Sequence, residues 1–237
     1  MQHRQLGRSG LKVSALSLGT MEFGGKVSET QAADIFACAR DQGVTMVDTA
    51  NCYTAGRSEE IVGRLIAPHR DRMLLATKFS VPMADDMPNS GGTSRYSVIA
   101  NCEASLRRLG TDHIDIYYIH RPFNETPIEE TLRALEDLVC AGKVRAIGTS
   151  SFASWQLVEA QWCADIRNLT RPTVDQTPYH LLDRRVEREL VPAIRSHGIG
   201  MTIWSPLAGG LLTGKYLGEG QDGHRLRADD ADWGAKH

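Results

Sequence analysis

Four polar side chains stand where short apolar runs stop. Asp48 closes TMVD, Lys78 closes LLATK and His120 closes DIYYIH, while Tyr53 follows Asp48 by five residues in a short loop segment. A carboxylate, an ammonium, a phenol and an imidazole together can move a proton. Taken singly, each has an ordinary structural role: a strand-end aspartate caps a helix, a strand-end lysine snorkels to water, a lone histidine packs. Their joint placement on successive strands is more specific. A lysine or aspartate left alone beside a buried strand costs about several kcal/mol, so Asp48 and Lys78 are expected to pair. A cation close to a phenol lowers its pKa from about 10 towards neutrality, because it stabilises the phenolate. Tyr53 would then donate a proton to a carbonyl oxygen at cellular pH.

Such a set needs strands that end side by side. Seven β-rich runs begin near residues 13, 44, 73, 114, 144, 173 and 200: Val13–Leu18, Val44–Val47, Met73–Ala76, Ile114–Ile119, Val144–Ile147, Thr173–Asp175 and Met201–Trp204. Most are continuously apolar, as strands covered on both faces are. Helical segments lie between them. Ser28 with Gln31 has the capping-box pattern and Gly43 follows as a stop. Thr126, Pro127 and Glu129 repeat it with proline at the first helical position. Gly110, Gly142 and Gly198 stand at three further helix ends. A strand about every 30 residues, with helices between, is a βα repeat. The fold expected is α/β, a (β/α)8 TIM barrel that is C-terminally incomplete, with about seven βα units. Residues 1–237 form one domain in this reading, and 217–237 an irregular tail, because no valine or isoleucine follows Thr213. A doubly wound sheet is disfavoured by the lack of GxGxxG.

Composition closes off other classes. The chain has 237 residues, 41% hydrophobic and 24% charged, with a formal net charge of −2. That is a globular composition with a core, and it gives no electrostatic case for nucleic acid or an anionic membrane. No apolar run reaches the roughly 18 residues of a membrane helix, and the N-terminal MQHRQLGRSG has no signal-peptide core. Five cysteines, Cys38, Cys52, Cys102, Cys140 and Cys163, are odd in number and never spaced as CxxC. No disulfide framework or metal site is expected, and the cytoplasm is the simple localisation.

The run VDTANCYTAGRSEEIVG, the strand LLATK, the segment IDIYYIHRP and the block WSPLAGGLLTGKY together resemble the aldo-keto reductases. The resemblance extends from LGRSGLKVSALSLGTMEFGG to Tyr216. GTSSF with WSPL is similar to the branch holding bacterial aldo/keto reductases and potassium-channel β subunits. The resemblance implies a catalytic tetrad: Tyr53 as general acid, Lys78 lowering its pKa, Asp48 balancing the lysine, and His120 orienting the carbonyl. It implies NADP as cofactor, with Ser150, Ser151 and Gln176 holding the nicotinamide carboxamide and Trp204 stacking on the ring. Ser205, Leu207, Gly210 and Lys215 would lie along the phosphates. The family's 2′-phosphate clamp lies mostly beyond strand eight, so little discrimination between NADPH and NADH is expected.

The function expected is NADPH-dependent reduction of an aldehyde or ketone, the partner being that small carbonyl compound. The rival is a non-catalytic nucleotide-sensing subunit or an inactive fragment. Gly209–Lys215 also fits the GxxxxGK part of a P-loop, but Tyr216 offers no short hydroxyl for magnesium and no helix pattern follows. The loop Ser80–Ser94 carries no pocket signature that names a substrate, and the oligomeric state is not legible. Trp155 and Trp162 fall on a predicted helix and are expected to be packing residues.

Overall fold

The computed structural model describes residues 1–84 and 86–217. Two short strands, β1 (His3–Gln5) and β2 (Lys12–Ser14), form an antiparallel hairpin. Seven parallel strands follow in a single sheet: β3 (Leu18–Gly19), β4 (Met46–Asp48), β5 (Leu74–Phe79), β6 (Ile114–Ile119), β7 (Val144–Ser150), β8 (Val174–Pro178) and β9 (Gly200–Trp204). They pair in chain order, β3 to β9, so each connection is a crossover to the next strand. Six helices supply those crossovers: α1 (Glu29–Asp41), α2 (Arg57–Ile66), α3 (Arg95–Leu109), α4 (Ile128–Cys140), α5 (Ser154–Arg167) and α6 (Leu190–His197). The result is a TIM-like α/β half-barrel of seven parallel strands.

Strand periodicity divides the core in two. The outward side chains Val47, Leu75, Phe79, Tyr117, Ile119 and Ile147 pack under the helices with Ile61, Val98, Leu132 and Leu135. The inward ones, Met46, Ala76, Ile116, Tyr118, Ala146 and Val174, fill the interior, where Leu6 and Val13 of the hairpin region join them as a floor. Tyr118 lies directly opposite Gly148, and a Cβ there would come within 2.4 Å of the Tyr118 ring. Only glycine lets the barrel interior hold a tyrosine at that level.

Three local expectations need correction. The run Val13–Leu18 is not one strand: Val13 belongs to the hairpin and Leu18 to the first parallel strand. Its apolar residues serve two different cores, the floor and the sheet, with a break between. At α4 the N-cap is Pro127 itself, with no side-chain cap bond, so neither Thr126 capping nor proline at the first helical position is found. The Ser28–Gln31 capping box does form, with Gln31 N–H donating to Ser28 Oγ and Ser28 N–H to Gln31 Oε1. Trp155 and Trp162 are not packing residues, being 60% and 61% exposed on one face of α5. Among the described residues, no helix is long and apolar enough to cross a membrane. Of the expected tail, residues 218–237 lie outside the described residues.

Candidate active site

The sheet register brings the tetrad residues to one place. Asp48 pairs with Ala76, and Lys78, two residues on, points to the same interior face. Lys78 in turn pairs with Tyr118, and His120, two residues beyond, follows on that face. Tyr53 begins a 3-10 turn, Tyr53–Gly56, just after β4. All four therefore stand at the carboxyl ends of strands, where barrels of this kind carry their chemistry.

The fully buried Lys78 ammonium organises the site. Nζ donates to Asp48 Oδ2 at 2.5 Å, to the Thr49 carbonyl at 2.8 Å and to Tyr53 Oη at 3.3 Å. Three donors thus meet three acceptors, which a desolvated ammonium requires. The other carboxylate oxygen of Asp48 accepts from Gln176 Nε2 at 2.9 Å, tying β4 to β8 across the barrel. A hydroxyl network fixes the strand end beneath: Thr20 Oγ1 donates to the Asp48 carbonyl and Ser58 Oγ to the Thr20 carbonyl.

Burial decides the protonation states. It pushes the Tyr53 phenol above its ordinary value; the Lys78 charge opposes this, but Asp48 adds to it. The expected drop towards neutrality is therefore corrected: desolvation of the phenolate outweighs the neighbouring cation. Burial acts to lower the Lys78 pKa, but Asp48 and Tyr53 together hold it above its usual value. His120 is pushed down to about 3, by burial first and then by the Lys78 and Arg121 charges. At neutral pH the site holds a phenol, an ammonium and a neutral imidazole. The Tyr53 and His120 rings meet edge to face, 5.7 Å apart.

Backbone strain gathers at the same end of the sheet. Among the described residues seven non-glycine residues have a positive φ, and Asn168 alone of them caps a helix. Thr54 and Ala55 follow β4, Ser80 follows β5, Ser151 follows β7, and Ser205 and Ala208 follow β9. Each such residue costs about 1–3 kcal/mol and persists only where its surroundings force it.

The residues expected along a dinucleotide lie at these loops. Ser150 is buried at the end of β7, paired with Gln176, and the Ser151 N–H donates to the Gln176 carbonyl. Trp204 ends β9 opposite Pro178. Ser205 opens the turn that Ala208–Thr213 continues, where the Leu207 carbonyl accepts from Gly210 N–H. Lys215 folds over Gly210, so that a Cβ there would lie 2.9 Å from Lys215 Cε. Ser205, Leu207, Gly210 and Lys215 all follow β9, whereas the tetrad residues follow or end β4, β5 and β6. Sequence reasoning missed Thr49, whose contribution is a carbonyl, and the bond of Gln176 to Asp48. Neither leaves a mark in residue type.

The aldo/keto reductase family model matches residues 15–233. The chain belongs to the aldo/keto reductase family. This aldo/keto reductase is 44% identical over 229 residues to a Bacillus subtilis protein named an uncharacterized oxidoreductase, covering 92% of this chain and 70% of that one. It is 42% identical over 221 residues to an Arabidopsis thaliana protein named a voltage-gated potassium channel subunit beta, covering 91% and 67%. A Schizosaccharomyces pombe protein of the same name is 38% identical over 229 residues, covering 94% and 67%. An oxidoreductase is the general kind of protein to which the chain is related.

Proposed function

We propose that the chain transfers hydride reversibly between NADPH and an aldehyde or ketone, with Tyr53 as the general acid. The observation that carries this reading is the Lys78 ammonium bonded at once to Asp48, Thr49 and Tyr53. A phenol with a raised pKa keeps its proton until a carbonyl oxygen gains negative charge. The ammonium at 3.3 Å then stabilises the phenolate left behind, and Asp48 balances the lysine throughout. A neutral His120 beside the Tyr53 ring can donate an N–H to the same oxygen without bringing a second cation near Lys78.

The residues present fit a nicotinamide dinucleotide. The space over Gly210 that a side chain would fill holds the Lys215 stem, which supports a phosphate contact there. Ser150, Ser151 and Gln176 would hold the carboxamide, Trp204 would lie against the ring, and Ser205 and Leu207 would border the phosphates. When bound, the nicotinamide supplies or accepts the hydride. Five free thiols support a reducing compartment such as the cytoplasm.

Tyr53→Phe is the test. The ring keeps its shape and loses only its proton, so carbonyl reduction should fall by about 10²–10⁴-fold while nicotinamide fluorescence titration shows unchanged binding. Residual activity within tenfold of the parent would sink the general-acid role. A second reading, a nucleotide-binding subunit without turnover, draws on the names of the plant and yeast relatives. It predicts NADPH binding with no reduction of any carbonyl by the parent chain.

A further inference from the structure

Cys52 takes no part in the chemistry derived above, yet it sits inside the site. Its backbone is held in the turn before Tyr53: the Tyr53 N–H donates to the Ala50 carbonyl and the Ala55 N–H to the Cys52 carbonyl. That turn aims the side chain across to β6, where Sγ lies 3.7 Å from Nδ1 of His120. Among the described residues this is the one hydrogen-bond partner of the imidazole ring, and Nε2 has none. We propose that Cys52 is a positioning residue: its S–H donates to Nδ1 of His120 and holds the ring as the Nε2–H tautomer.

The direction of the bond follows from the two groups. A neutral imidazole has one nitrogen that donates and one that accepts, and whichever bond one nitrogen makes fixes the role of the other. A thiol is a weak acceptor, whereas the bare ring nitrogen is a good one, so S–H to N is the favourable sense. Burial raises the Cys52 thiol above its ordinary value despite the Lys78 charge, so the donor keeps its hydrogen. The ring stays neutral for the same reason, leaving a lone pair to accept. The remaining N–H, on Nε2, is then the donor available to a carbonyl oxygen. The opposite tautomer would direct the N–H at sulfur and turn a lone pair towards that oxygen, where two acceptors repel. That consequence for the carbonyl rests on the proposed function; the tautomer itself does not.

The test reads the tautomer directly. Ring 15N and 1H spectra of His120 in the 237-residue chain, without substrate, distinguish a protonated from a bare nitrogen at each position. The parent should show Nε2 protonated and Nδ1 bare. Cys52→Val keeps an apolar side chain and removes the donor, and should give a mixture of tautomers and a shifted Nδ1 resonance. Cys52→Ser should restore the single form. Cys52→Ala repeats the test should valine not be accommodated. In the same variants kcat/KM for carbonyl reduction should fall about three- to tenfold in valine and recover in serine. A parent ring protonated at Nδ1, or a valine variant with the parent spectrum, would overturn the proposal. Loss of the reductase reading through Tyr53→Phe would leave these spectra unchanged, so the two ideas fail separately.

Discussion

Lys78 has three ammonium hydrogens and three oxygen atoms around it, all inside the protein. Replacing it with methionine keeps the stem and deletes the charge, leaving Asp48 with Gln176 as its remaining side-chain partner. Breaking a buried pair on one side costs about 3–5 kcal/mol, since the orphaned carboxylate must be neutralised or hydrated. Lys78→Met should therefore lower the denaturation midpoint clearly and abolish most carbonyl reduction. A variant with unchanged stability and an unchanged pH–rate profile would show that the pair has no energetic weight. The tetrad was legible at this scale because its polar residues interrupt apolar strands at their ends. The sign of the Tyr53 shift was not. Sequence shows that a lysine and a tyrosine can meet, but the desolvation that outweighs their attraction depends on how deeply the closed fold buries them. The Gln176–Asp48 bond was hidden for a related reason: it joins residues 128 positions apart, and no local pattern encodes it.

Among the elements, strand alternation places one acid where the helices pack. Asp175 on β8 points outward, away from the site, and is fully buried. Its Oδ1 accepts from Thr149 Oγ1 of β7 at 2.7 Å, while Oδ2 has no partner among the described residues. Burial pushes this carboxyl from 3.8 up to about 7. A pKa raised by folding means that the folded chain binds the proton more tightly than the unfolded one. The stability Asp175 contributes is thus full below about pH 4 and is lost as pH rises through 7. Between pH 6 and 8.5 the loss should be about 1–2 kcal/mol, read as a fall in the urea midpoint. Asp175→Asn cannot ionise and should flatten that slope; a variant as pH-dependent as the parent would refute the assignment. The strand itself was legible from the spacing of the βα repeat, and so were the glycine stops after the helices. Gly110 and Gly198, for instance, take the left-handed C-cap conformation that ends α3 and α6. The first strand was misread because an apolar run shows that residues are buried without showing against what. Val13 and Leu18 go to different cores.

At the scale of the whole molecule, the described sheet curls without closing. Among the described residues β3 neighbours β4 alone and β9 neighbours β8 alone, so these two are the edge strands of the described sheet. β3 is only Leu18–Gly19, whereas β9 is five residues long, Gly200–Trp204. Ile203, on the helix side of β9, is 44% exposed, and Leu207 and Leu211 beyond it are exposed as well. An edge strand beside apolar side chains is a template for pairing with another chain, and barrel closure is the usual means of removing it. The 237-residue chain should accordingly self-associate as its concentration rises, with light scattering reporting species larger than the 26.1 kDa monomer. A lysine on the outward face of an edge strand opposes edge pairing through charge and hydration. Ile203→Lys should therefore shift association to higher concentration, while circular dichroism shows the helices and strands retained. If the parent instead stays monomeric at every concentration tested, β9 must be covered within the chain, and residues 218–237 become the segment to examine against it.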